Sequence, residues 1–295
     1  MTALQLLSSE RDVRRYARGA LRAASAGEEL PVPLADIAAA AELHKEALFD
    51  LGGHIDLPAG IRAIIHKLRG TVLGLLDVQE RRYYVDASLT LDRRRFTEAH
   101  EIGHHTLPWH RLAYFADDYH TLATDTRDLL ELEANLFSAE ILFAGDRFNR
   151  EADDWAPSLD VPLALNGRYQ VSAAAAIRRY ISDSSRPVAV VGTGMFSSAS
   201  GALPIFEGIT SQSVSFAKKY GPVRQMLPKA LTPAIYPGIS AIRPDKRGKI
   251  DACEMVLQTN RGAVRFAAEG FVNGRNGFIV LARRSRAAGQ RLTLI

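Results

Sequence analysis

Two histidines four residues apart flank a glutamate in the run His100-Glu101-Ile102-Gly103-His104. Positions i and i+4 lie on one face of a helix, so both imidazoles can aim a ring nitrogen at one ion. Zinc takes such nitrogens at about 2.0–2.1 Å. Glu101, next to the first histidine, is placed for the water beside the ion, where it can take a proton and later deliver it to a leaving amine. This spacing suits amide hydrolysis. Two histidines leave a catalytic zinc one protein ligand short, and the periodic stretch Arg127 to Phe143 offers Glu131, Glu133 and Glu140. Laid out at about 100° per residue, Leu129, Leu130, Leu132, Leu136, Phe137 and Ile141 form a wide apolar face with Glu133 and Glu140 in its middle. Glu131 falls opposite, among Arg127, Asp128, Asn135 and Ser138. A carboxylate turned towards a core needs a cation. Glu133 and Glu140 are therefore the ligand candidates, and Glu131 reads as solvated. In the competing reading, either candidate pairs with Arg93, Arg94 or Arg95.

The elements that must hold these residues are legible from propensity and punctuation. Arg11 to Ala26 and Leu34 to Leu43 read as helices, the first stopped by Gly27 and the second opened after Pro31 and Pro33. Val72 to Leu76 and Arg82 to Val85 read as strands. They lead into a helix over Arg94 to Leu107 that Pro108 should close. A loop from His110 to Thr126 precedes the helix of Arg127 to Phe143. Leu163 to Arg178 looks like helix–turn–helix, with Gly167 near the turn and Ser172 as N-cap. Beyond Ser184 to Pro187 strand signals dominate: Val188 to Val191, Glu254 to Leu257, Val264 to Ala267 and Phe278 to Ala282.

Two stretches together make the chain resemble a known family. Arg94-Arg95-Phe96-Thr97-Glu98-Ala99-His100-Glu101-Ile102-Gly103-His104-His105, followed by Glu131-Leu132-Glu133-Ala134-Asn135-Leu136-Phe137-Ser138-Ala139-Glu140, closely resembles the ImmA/IrrE family of bacterial metallopeptidases. That family pairs an RRFT-x-AHE-[LI]-GH helix with an E-x-EAN-x-FA helix. The departures are Ser138 for Ala, Phe143-Ala144 for Met-Pro, and Pro108-Trp109-His110 where a Leu-His pair is common. The resemblance implies an α+β chain with three parts: a gluzincin-like zinc peptidase domain over residues 1–150, a helix–turn–helix-like segment over 151–186, and an α/β GAF-like domain over 187–295. It implies His100 and His104 as zinc ligands, Glu101 as general base and Glu133 as third ligand. Manganese or iron suits the same nitrogen–oxygen donors. The implied substrate is a helix-turn-helix (XRE-like) repressor, whose cleavage would release stress-response or mobile-element genes.

Composition narrows the setting. An apolar fraction of 47% with 24% charged residues fits a packed globular chain. No run of 18 apolar residues occurs, and the N-terminus lacks a basic stretch before an apolar core, so a cytoplasmic location is expected. The single cysteine, Cys253, excludes an internal disulfide and a four-cysteine metal cluster; it reads as a small core residue. From Ile205 onward there are 15 Lys/Arg and 5 Asp/Glu, net +10, which leaves −6 for the rest. A basic lobe can attract nucleic acid or an acidic protein. The alternative function is therefore a DNA-binding transcriptional regulator or repressor-binding protein with a structural or degenerate metal site. Arg178 and Arg179 are its candidate phosphate contacts, although Ala173 to Ala176 offer nothing to read bases. His105, His110, His120, Tyr114 and Tyr119 are secondary candidates for stabilising an oxyanion.

Overall fold

The computed structural model describes residues 3–46, 74–116 and 124–283, with 3–8 and 114–116 described by their backbone. Helices and sheets are mixed, and the chain divides into two compact units. The first holds residues 1–147 together with 167–172, and the second holds 148–166 together with 173–295. Most of the segment 151–186, expected to stand alone, thus lies in the second unit. Among the described residues no helix is long and apolar enough to cross a membrane.

The first unit opens with helix α1 (Ala3–Ala23), which begins well before the expected Arg11, and α2 (Leu34–Ala40). Strands β1 (His44–Lys45), β2 (Gly74–Asp77) and β3 (Arg82–Val85) form a sheet in the order β1-β3-β2. β1 runs parallel to β3, and β2 is antiparallel to it. After β3 the Asp86 carboxylate accepts the Ser88 N–H at 2.8 Å, an Asx turn that redirects the chain into α3 (Leu91–Thr106). Pro108 does not simply end this helix: it opens α4 (Pro108–Ala116), because proline at a first helical position loses no intrahelical bond. Helix α5 (Thr124–Leu142) follows.

Three contacts fix α3. Its Glu98 is buried, accepts the Tyr83 hydroxyl at 2.7 Å and pairs with Lys45 Nζ at 2.7 Å, which ties the helix to the sheet. Arg95 donates to the Val32 carbonyl at 2.7 Å, ahead of α2. On its other side Gly103 meets Phe137 of α5, and a Cβ there would stand 3.0 Å from the Phe137 ring. The missing side chain lets α3 and α5 approach closely. α5 also packs along α1, so it is covered from two directions.

Helices α6 (Arg147–Asp153), α7 (Asp160–Tyr169) and α8 (Ala173–Ser182), most of whose residues lie in the second unit, precede its five-stranded sheet. Gly167, expected in the turn, lies inside α7, and Gln170 with φ of 49° makes the reversal. The sheet is antiparallel, in the order β6 (Ser211–Gln212), β4 (Ala189–Thr193), β10 (Gly277–Ala282), β9 (Gly262–Val272), β8 (Gly248–Thr259). The expected strands all occur, and the hairpin strands β8 and β9 extend well beyond them. Their turn uses Gly262 at φ 81°, a conformation that suits glycine. The short strands β5 (Leu203–Pro204) and β7 (Ala230–Leu231) pair with each other. Helix α9 (Val214–Tyr220), capped by Ser213 Oγ on the Phe216 N–H, and α10 (Val223–Met226) complete the unit. Phe216, Tyr220, Tyr236, Phe266 and Ile279 are at the centre of its core. Cys253 packs at the margin of that core. Glu269 on β9 accepts the Leu159 N–H at 2.6 Å, and Asn149 donates to the Arg179 carbonyl at 3.2 Å, so the helices belong with this sheet.

Candidate metal centre

His100 and His104 stand one turn apart on α3, with their Nε2 atoms 3.0 Å from each other. Glu131 of α5 reaches the same place: its carboxylate oxygens lie 3.2 Å from His100 Nε2 and 3.7 Å from His104 Nε2. Two donors that share a zinc in tetrahedral geometry stand roughly 3.4 Å apart, so this spacing and this chemistry fit a divalent ion. The three form the metal-suited group found among the described residues. Each histidine is held by its other nitrogen. His100 Nδ1 contacts Asn135 Oδ1 at 3.1 Å, and His104 Nδ1 contacts His110 Nδ1 at 2.9 Å.

Burial and its neighbours His100 and His110 lower the pKa of His104 well below the usual imidazole value, so His104 is neutral, as a ligand must be. For His100 burial acts downward, but hydrogen bonding to Glu131 and the charge of Glu101 outweigh it, and the net shift is upward. Glu101 is buried, and desolvation pushes its carboxyl up to about 7; His100 opposes this shift and Glu131 adds to it. Gly74 of β2 lies against that carboxylate: a Cβ there would stand 2.5 Å from Glu101 Oε1 and from Thr97 Cγ2.

Glu133, expected as the third ligand, does not face the histidine pair. Its carboxylate accepts from Trp109 Nε1 at 2.6 Å, from His110 Nε2 at 2.8 Å and from Ser9 Oγ. Burial acts against its ionisation, but the three donors prevail and lower its pKa. Glu140, the other candidate, pairs with Arg14 of α1. The reason is that α5 has two packed sides. Glu133 and Glu140 turn towards α1 and α4, where ordinary polar partners satisfy them. Glu131, read as solvated, and Asn135 beside it on the polar side meet His100 of α3, and Ser138 on that side is fully buried. Leu132, counted into the apolar face, is 58% exposed. The i, i+4 spacing of Glu131 and Asn135 was the available signal; it matches the His100–His104 spacing on the facing helix.

The remaining candidates separate cleanly. Arg94 and Arg95 donate to backbone carbonyls of Leu89 and Val32, away from Glu133. His105 meets the Ala41 carbonyl at 3.1 Å, behind the site. Tyr119 and His120 lie outside the described residues, as does the Tyr114 side chain. Arg179 is buried and pairs with Asp183 at 3.2 Å, which removes it as a phosphate contact; Arg178 is exposed.

Residues 59–180 match the peptidase M78 family, described as the IrrE N-terminal-like domain. This part of the chain is similar to that family, in agreement with the resemblance carried by the two helices. No curated protein matches the chain. Among solved structures, a "Mycobacterium tuberculosis transcriptional regulator" is similar at 14% identity and a TM-score of 0.48, over 99% of this chain and 94% of that one.

Proposed function

We propose that the chain is a zinc-dependent endopeptidase with His100, His104 and Glu131 as ligands and Glu101 as the proton-handling group. The observation that carries the reading is the convergence of two Nε2 atoms and a carboxylate within 3.0–3.7 Å, beside a buried carboxyl with a pKa near 7. A bound zinc ion supplies Lewis acidity towards a carbonyl and makes water a better nucleophile at neutral pH. Glu101 accepts the proton of the attacking water on its carboxylate and returns it to the leaving amine. A pKa near 7 suits both transfers. Gly74 gives Glu101 its room, and β2 is at the edge of the first unit's sheet among the described residues, where an extended peptide could add as a strand.

The substrate we propose is a helix-turn-helix repressor of the XRE-like kind. Its loss would switch on the genes it silences, and the five-stranded second unit would serve as a GAF-like sensing or recruiting domain. Manganese is the alternative occupant of the metal site. To test this, purified protein loaded with zinc or manganese is incubated with repressors encoded beside its gene. Fragments are expected with the wild type and none with Glu101→Gln, which keeps about one metal per chain. Metal loss in that variant would remove Glu101 from its assigned role, and cleavage surviving in it would require another base.

A further inference from the structure

Behind the three donors runs a buried chain of polar groups that metal ligation by itself does not require. It starts at Glu133 on α5, passes through His110 on α4 and ends at His104 on α3. His110 is fully buried, and Glu133 and His104 are nearly so. We infer that Glu133 and His110 are positioning residues that set the tautomer and ring orientation of His104, so that its Nε2 lone pair faces the metal site. The inference rests on the metal reading above.

The order of protons follows from what each group can donate. Tryptophan Nε1 is only ever a donor, so Glu133 Oε2, which takes it at 2.6 Å, is an acceptor. His110 Nε2 meets the same oxygen at 2.8 Å and must therefore carry a hydrogen. The Nδ1–Nδ1 contact of 2.9 Å between His110 and His104 holds one hydrogen, and ligation through His104 Nε2 requires that hydrogen to be on His104, with His110 Nδ1 accepting. With its hydrogen on Nδ1, His104 has a bare Nε2, the atom 3.0 Å from His100 Nε2 and 3.7 Å from Glu131. The opposite order would put a hydrogen on His104 Nε2 and block ligation there.

Orientation follows from the same contacts. The far end of the chain is anchored from three sides: Ser9 on α1 donates to the other oxygen of Glu133, Trp109 lies beside His110, and Tyr16 of α1 packs edge-on against Trp109 at 5.5 Å. His104 is thus clamped by groups on α1, α4 and α5, whereas His100 is held by Asn135, an exposed neighbour. Partners behind metal-binding histidines typically contribute 10–100-fold in metal affinity.

Two measurements test this. In metal-free wild-type protein, long-range proton–nitrogen correlation of the histidine rings should show His104 protonated at Nδ1; protonation at Nε2 would overturn the inference. In zinc competition against a chelator, His110→Phe should weaken binding 10–100-fold. His110→Asn should stay within about threefold of wild type, because Asn Oδ1 can accept from His104 Nδ1 where the ring nitrogen stood. Glu133→Gln keeps an oxygen for Trp109 and His110, and it too should bind zinc nearly as the wild type does. Equal affinity of the Phe and Asn variants, both folded, would show that the chain does not position His104. If His110→Phe does not fold, the tautomer measurement decides alone. If the wild type binds no zinc, the metal reading fails, and the tautomer still decides the inference.

Discussion

Glu131 and Glu133 are two positions apart on α5 and serve different neighbours. Glu131 faces the Nε2 atoms of both histidines, while Glu133 is occupied by Trp109, His110 and Ser9. Removing the charge of Glu131 with Glu131→Gln should reduce zinc affinity by more than the 10–100-fold expected of a supporting partner. Chelator competition comparing Glu131→Gln with Glu133→Gln checks this, and a larger loss for Glu133→Gln would restore Glu133 as the ligand. Glu101 has a separate signature in the metal-free protein. Its folded pKa of about 7 lies above the ordinary 4.5, so the folded state holds the proton more tightly. Stability should therefore fall as pH rises from 4.5 through 7, by about 3 kcal/mol at full ionisation. Glu101→Gln removes that dependence. Its thermal midpoint relative to wild type should rise between pH 5 and pH 8, and a difference independent of pH would mean that Glu101 is not desolvated. A bound cation should reduce the effect.

At the scale of elements, two glycines set the distances on which the site depends. Gly103→Ala adds a methyl 3.0–3.3 Å from Phe137, which is fully buried and has little room to give. Better helix propensity contributes about 1 kcal/mol, but overpacking a core costs typically 1–3 kcal/mol. The expected result is an unchanged or lower thermal midpoint with weaker zinc binding, because α5 carries Glu131 away from α3. Zinc affinity equal to wild type would show that the helix spacing tolerates the methyl. Gly74→Ala is harsher, since its Cβ would collide with Glu101 and Thr97. It should abolish cleavage while the metal content stays near one per chain, and full activity would mean that Glu101 works from another position.

On the scale of the whole molecule, the chain passes between its two units more than once. Residues 148–166 belong to the second unit, 167–172 to the first and 173–295 to the second again. A cut after Arg186, a natural choice from the Ser184–Pro187 linker, would therefore divide the second unit. It strips β4 and β6 from α8, whose Ala176, Ile177, Tyr180 and Ile181 are buried in the complete chain. The shortened protein should have a lower soluble yield and bind a hydrophobic dye, even though every proposed site residue is retained. A soluble, dye-negative product with normal metal content would show that α6–α8 stand without the sheet. A cut near 147 is no cleaner, because it removes Tyr169, which is fully buried and packs against Phe143 of the first unit.

The placement of His100 and His104 on one helical face, with Glu101 beside them, was legible because its geometry is local: a helix of 3.6 residues per turn puts positions four apart on one face whatever surrounds it. The strands of the second unit were legible for the same kind of reason, since alternation and turn residues act over a few positions. The carboxylate that meets the two histidines was not. Choosing between Glu131 and Glu133 depends on which side of α5 meets which helix, and a helical wheel assumes one buried side. Here α1 and α3 cover two, and an inward carboxylate found Ser9, Trp109 and His110 far away in sequence. The role of His110 was hidden likewise, because nothing in Pro108-Trp109-His110 tells which buried groups will stand on either side of its ring. Periodicity reports how a helix is divided into faces; only the packing of the whole unit decides what each face meets.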